Sequence, residues 1–173
     1  MVKFNFDFFI GIDWSGDKNK FQRGISVALC NEGTNAPIII KPNEGKYWSR
    51  SSLLIWIKKI TKENNVLLGM DFAFSYPFQE KLSYFPGQGK IPSNPKKLWE
   101  LINDLNKNYD NFYGGGIWKT KPFADYYISP GFKGNKYQSR RRQTEIDARK
   151  KVYSPSPTFN CVGPGSVGTG SLA

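Results

Sequence analysis

Twice in this chain a strand-like apolar run meets an aspartate, and an amphipathic helical pattern lies between the two. Phe8-Phe9-Ile10-Gly11-Ile12 stops at Asp13, with Trp14-Ser15-Gly16-Asp17 behind it. Val66-Leu67-Leu68-Gly69-Met70-Asp71-Phe72-Ala73-Phe74 is broken by Ser75-Tyr76-Pro77. Short aromatic and β-branched runs bounded by turn residues read as strands, and a near-continuous one suits a strand covered on both faces. Residues 24–30 and 36–41 are two further strand candidates, and Pro37 places the latter at an edge. The period then changes. Leu53, Leu54, Ile57 and Ile60 form a helical stripe that Ser51 or Ser52 can cap, with Lys58, Lys59 and Lys62 toward its end.

A second helix is predicted from Pro95 to Asn106, capped by Asn94, with Leu98, Leu101, Ile102 and Leu105 as its buried stripe. Residues 112–140 are aromatic and rich in Gly and Pro, which reads as a folded loop or lid, and a helix follows through 140–151. Strands one to three are close enough for an antiparallel meander. Strand four, reached through a helix, returns beside strand one as a parallel neighbour. That mixed α/β order, over a single domain of 173 residues, is how a ribonuclease-H-like fold begins. It puts Asp13 and Asp71 at the C-terminal ends of adjacent strands, where α/β sheets bind ligands.

The chain has no histidine and two cysteines, Cys30 and Cys161. Ser-His-Asp and Cys-His catalysis lack their imidazole, and His- or Cys-x-x-Cys-type zinc sites lack their ligands. Cys30 closes an apolar run and reads as a small buried hydrophobe. Catalysis is left to carboxylates, Lys and Arg, hydroxyls, backbone amides, or a hard metal held by oxygens. A net charge of +11 favours polyanionic partners, nucleic acid or a nucleotide, without specifying a sequence. No apolar run is long enough to span a bilayer, and the first residues carry no cleavage-site pattern, so the expectation is a soluble cytoplasmic protein with no membrane partner.

Ile10-Gly11-Ile12-Asp13-Trp14-Ser15, Gly69-Met70-Asp71-Phe72-Ala73-Phe74-Ser75-Tyr76-Pro77, Arg142-Gln143-Thr144-Glu145 and Val162-Gly163-Pro164-Gly165-Ser166-Val167-Gly168 occur in that order. This set resembles a group of bacterial proteins related to the predicted ribonuclease-H-like nucleases of the DUF429 type, from about residue 8 to the end. The resemblance implies a metal-dependent nuclease or phosphodiesterase. Such proteins usually continue beyond the Gly-Ser-Val-Gly segment, so it also implies a fragment or a shortened form.

In a ribonuclease-H-like nuclease, carboxylates hold two divalent ions about 4 Å apart, and Mg2+ or Mn2+ suits oxygen ligands. Asp13 and Asp71 are the first two candidate ligands and catalytic residues, Glu145 the third, with Asp147 behind it. The alternative for Asp13 and Asp71 is an acid that caps the following turn or pairs with an arginine. For Glu145 it is a salt bridge to Arg142 or Arg149. Arg140, Arg141 and Arg142 can clamp phosphate or form a solvated basic face. Ser15 can bind phosphate or serve as a turn residue. Gly165, Ser166 and Ser171 can cradle an anion or form a plain turn, since neither a P-loop nor a dinucleotide fingerprint is present. Trp14 and Trp118 are candidates for base stacking, whereas Trp56 and Trp99 are expected to cover helix faces. A non-catalytic nucleotide or nucleic-acid binding module on the same scaffold is the alternative function.

Overall fold

Strand β1 (Phe8–Asp13), whose last four residues alternate between buried and exposed, is an inner strand of a four-stranded sheet. The computed structural model describes residues 5–33, 35–89, 92–151, 153–163, 166 and 168–173. They pack as two compact units, Met1–Asp71 and Phe72–Ala173.

In the first unit β1 pairs antiparallel with β2 (Ser26–Cys30), placing Ile10 opposite Leu29 and Ile12 opposite Val27. The short β3 (Ile38–Ile39) adds to β2, at the edge that Pro37 predicts. β4 (Val66–Met70) lies parallel to β1 on its other side, with Ile10 beside Leu68 and Ile12 beside Met70. The order β3-β2-β1-β4 is the meander plus parallel neighbour expected from the element order. Helix α1 (Arg50–Glu63) supplies the crossover. Its cap is Ser49, not Ser51 or Ser52: Ser49 Oγ accepts from the Ser52 N–H (3.0 Å), and Ser52 Oγ accepts from the Ser49 N–H (3.0 Å). This reciprocal pair satisfies two donors at once, so the helix starts before the expected caps.

Leu53 joins Ile10, Ile12, Val27 and Leu29 in one buried cluster, with Trp56, Ile57 and Ile60 partly buried against it. Leu53→Ala is expected to cost about 2–4 kcal/mol, because the sheet cannot collapse into the vacated space. Urea unfolding followed by circular dichroism checks this; a loss below about 1 kcal/mol would contradict packing of α1 on the sheet. β4 departs from expectation in two ways. It ends at Met70, and it is covered on one face only, since Leu67 and Gly69 are exposed while Val66, Leu68 and Met70 are partly buried.

The second unit is built on α2 (Pro95–Asn106), with Asn94 Oδ1 accepting from the Lys97 N–H (3.0 Å) and Pro95 in the first turn. Leu98 enters a core that is mostly aromatic: Tyr76, Tyr84, Phe85, Trp118, Tyr126, Tyr127 and Phe159. Residues 112–140 supply much of it, through two short 3-10 turns (Gly114–Lys119 and Phe123–Tyr126) and a hairpin of β5 (Ile128–Ser129) and β6 (Phe132–Lys133). Gly116 is required where this segment meets the end of α2. A Cβ there would collide with the Leu105 carbonyl, and its N–H donates to Asn106 Oδ1 (2.6 Å). The last helix, α3 (Gln143–Arg149), is shorter than the 140–151 stretch predicted. Among the described residues, no helix is long and apolar enough to cross a membrane.

Candidate functional site

The parallel register of β1 and β4 continues one step past its last pair: the Asp71 N–H donates to the Ile12 carbonyl (3.4 Å). Asp13 and Asp71 thereby become neighbours at the C-terminal ends of the two strands, both exposed. The Trp14 N–H donates to Asp71 Oδ1 (2.7 Å), which fixes that carboxylate over the start of the following turn. Burial, then the negative charge of Asp71, then a side-chain hydrogen bond to Asp71 raise the pKa of Asp13 above the ordinary carboxylate value. Two acids thus converge at one end of the sheet, and the charge of Asp71 opposes ionisation of Asp13.

This has a consequence for stability. The folded pKa of Asp13 exceeds its unfolded value, so the favourable contribution is complete below the unfolded pKa and is lost as pH rises through the raised one. In EDTA, Asp13→Asn is therefore expected to melt above the unsubstituted chain at neutral pH, the difference shrinking toward acid. Thermal melts across that range check it; a variant less stable at neutral pH than in acid, relative to the parent, would contradict the like-charge pair.

The turn after β1 is braced from within by a residue the sequence reading missed. Arg50, fully buried at the start of α1, donates from Nε (3.0 Å) and Nη2 (2.7 Å) to the Ser15 carbonyl. Nη2 also donates to the Asp17 carbonyl (2.6 Å), and the guanidinium lies 6.0 Å from the Trp14 ring centroid. Burial lowers its pKa. An arginine in the first turn of a helix opposes the macrodipole, and that mismatch was the only local signal that it serves another segment. Ser15 has its carbonyl held by Arg50 and its Oγ accepting from the Asp17 N–H (3.3 Å).

The other predicted residues are occupied elsewhere. Glu145, 4% exposed, accepts from the Arg142 N–H at Oε2 (2.8 Å) and from Arg142 Nε (3.0 Å) and Nη2 (2.7 Å) at Oε1. Both partners of that pair are thus engaged with each other. Asp147 is held by Lys150 (2.9 Å) and Gln143 (3.0 Å), hydrogen bonds that lower its pKa. Arg141 Nη1 donates to Ser139 Oγ (2.9 Å). Arg140, 8% exposed, is inside the second unit, its guanidinium donating to the carbonyls of Pro77, Ser83 and Tyr84. Ser166 Oγ donates to the Asn160 carbonyl, Ser171 Oγ accepts from the Ala73 N–H (2.9 Å), and Gly165 lies outside the described residues. Trp118 is buried, whereas Trp99 is 51% exposed, with its indole N–H donating to the Phe74 carbonyl (2.7 Å). Both cysteines are free thiols, and burial pushes Cys161 up to about 12.

The donor chemistry at Asp13 and Asp71 fits a hard divalent cation: oxygen ligands, convergent, with a shared negative charge to neutralise. Among the described residues, no group of three or more His, Cys, Asp or Glu side chains gathers in a way that could hold a metal ion. Two carboxylates can hold one Mg2+ or Mn2+ that keeps waters of its own; a two-metal centre calls for more acids than this. No family model, curated protein or solved structure matches the chain.

Proposed function

We propose that this chain is a cytoplasmic metal-dependent phosphodiesterase of ribonuclease-H-like fold, acting on nucleic acid or a nucleotide, with Mg2+ or Mn2+ held by Asp13 and Asp71. The observation that carries the reading is the convergence of these two acids, 58 positions apart in sequence, at the ends of adjacent parallel strands. The strand order and the resemblance to DUF429-type proteins support the fold assignment, and the net charge of +11 supports a polyanionic substrate.

A hard cation, when bound, supplies an acidified water and positive charge beside the scissile phosphate. The chain's own residues do the rest. Asp13 and Asp71 would supply the two oxygen donors, with Asp71 aimed by the Trp14 N–H. Arg50 holds the adjoining turn still by filling the Ser15 and Asp17 carbonyls. The test is cleavage of bis(p-nitrophenyl) phosphate and of a labelled oligonucleotide with Mg2+ or Mn2+ and with EDTA. Cleavage that requires the ion supports the proposal; cleavage undiminished in EDTA contradicts it. The absence of a third gathered acid among the described residues favours a second reading, a non-catalytic nucleotide or nucleic-acid binding module. Salt-dependent binding with no turnover under either ion is its signature.

A further inference from the structure

We propose that the stretch following β1 is a docking surface for single-stranded nucleic acid, formed by Lys20, Phe21 and Arg23 together with Lys46 and Tyr47. Every residue from 17 to 24 is exposed except Gln22, which is 1% exposed. Gln22 is the plug of the loop. Its Nε2 donates to the carbonyls of Asp17 (3.2 Å) and Asn19, and its backbone N–H donates to the Trp48 carbonyl (2.8 Å). Arg50 grips the same Asp17 carbonyl. With the loop held from inside, its neighbouring side chains are presented outward on a preorganised backbone.

Those side chains interleave cations with rings. Lys20 Nζ lies 5.5 Å from the ring centroid of Phe21, which is 54% exposed. The Gln22–Trp48 hydrogen bond brings residues 46 and 47 alongside. There the Arg23 guanidinium and Lys46 Nζ lie 5.8 Å and 5.4 Å from the Tyr47 ring centroid. An exposed phenylalanine beside a lysine does little for folding. A polynucleotide answers both features, because its bases stack on the rings while its phosphates pair with the cations. Bases in a duplex are already stacked on one another, so the rings select a single strand. The stretch begins four residues after Asp13 and belongs to the same unit.

The inference rests on the phosphodiesterase reading for what the strand is bound for, since it names that substrate as a single-stranded polynucleotide. Binding itself needs no ion. The experiment is fluorescence anisotropy of the full chain in EDTA, titrated into labelled oligothymidylate, oligouridylate and a DNA duplex over a range of salt. Phe21→Ala is expected to weaken binding of at least one single strand by about tenfold with its salt slope unchanged. Lys20→Gln with Arg23→Gln and Lys46→Gln is expected to reduce the slope by about 2, from three lost phosphate contacts. Matching thermal melts establish that each variant is folded. Single-strand binding unaltered in both variants, or a duplex bound as tightly as either strand, would overturn the proposal. Hydrolysis of bis(p-nitrophenyl) phosphate reports on the acids without a strand, and the EDTA titration reports on the patch without an ion, so each reading can fail alone.

Discussion

Arg140→Ala is expected to destabilise the second unit by roughly 5 kcal/mol, comparable to the whole stability of a marginal domain. The side chain is 8% exposed and makes hydrogen bonds around its guanidinium. Nε donates to Glu80 Oε1 (2.6 Å), Nη1 to the Tyr84 carbonyl (2.6 Å), and Nη2 to the carbonyls of Pro77 (2.7 Å) and Ser83 (2.6 Å). The guanidinium also lies 5.6 Å from the Phe159 ring centroid in the aromatic core. The ion pair contributes little of the effect, because the Glu80 side chain is 40% exposed and solvent screens it. The cost comes from three carbonyls that lose their donor and from the cavity left beside the core. Arg140→Lys is expected to recover little, since an ammonium cannot reproduce the planar fork. Urea unfolding followed by tryptophan fluorescence checks this, and a loss below about 1 kcal/mol would mean that the guanidinium is solvated.

Asp71→Asn is expected to abolish ion-dependent cleavage, by about 100-fold or more, while leaving the fold in place. The amide keeps an oxygen that can accept from the Trp14 N–H, so the strand-end geometry is retained and the charge is what is lost. Asp71→Ala removes the acceptor as well and serves as the harsher comparison. Cleavage of bis(p-nitrophenyl) phosphate in Mn2+ reads the effect, with circular dichroism as the folding check. Activity equal to that of the unsubstituted chain would remove Asp71 from the site.

The elements legible in the sequence are those whose signals are local. Asn94 and Pro95 announce α2 within two residues, and the run from Phe8 to Asp13 carries the aromatic and β-branched residues of a strand with a turn cluster behind it. The convergence of Asp13 and Asp71 follows from topology, because a helix between two strands returns the second beside the first in parallel. Other features depend on what lies across space. Nothing in Arg140-Arg141-Arg142 says that the carbonyls of residues 77, 83 and 84 surround only the first of them. The fate of Glu145 is written in its spacing from Arg142, but that spacing equally suits a ligand. Residues 112–140 show no period because 3-10 turns and close glycine packing, not a regular helix or long strand, carry Ile117, Trp118 and Tyr127 into the core. β4 reads as a fully covered strand from composition, whereas burial of its second face depends on a neighbour that composition does not reveal.

The most direct test is isothermal titration of Mn2+ into the unsubstituted chain and into Asp13→Asn at neutral pH. The account predicts saturable binding in the former and no measurable binding in the latter. No heat in the unsubstituted chain, or superimposable isotherms from the two proteins, would contradict it.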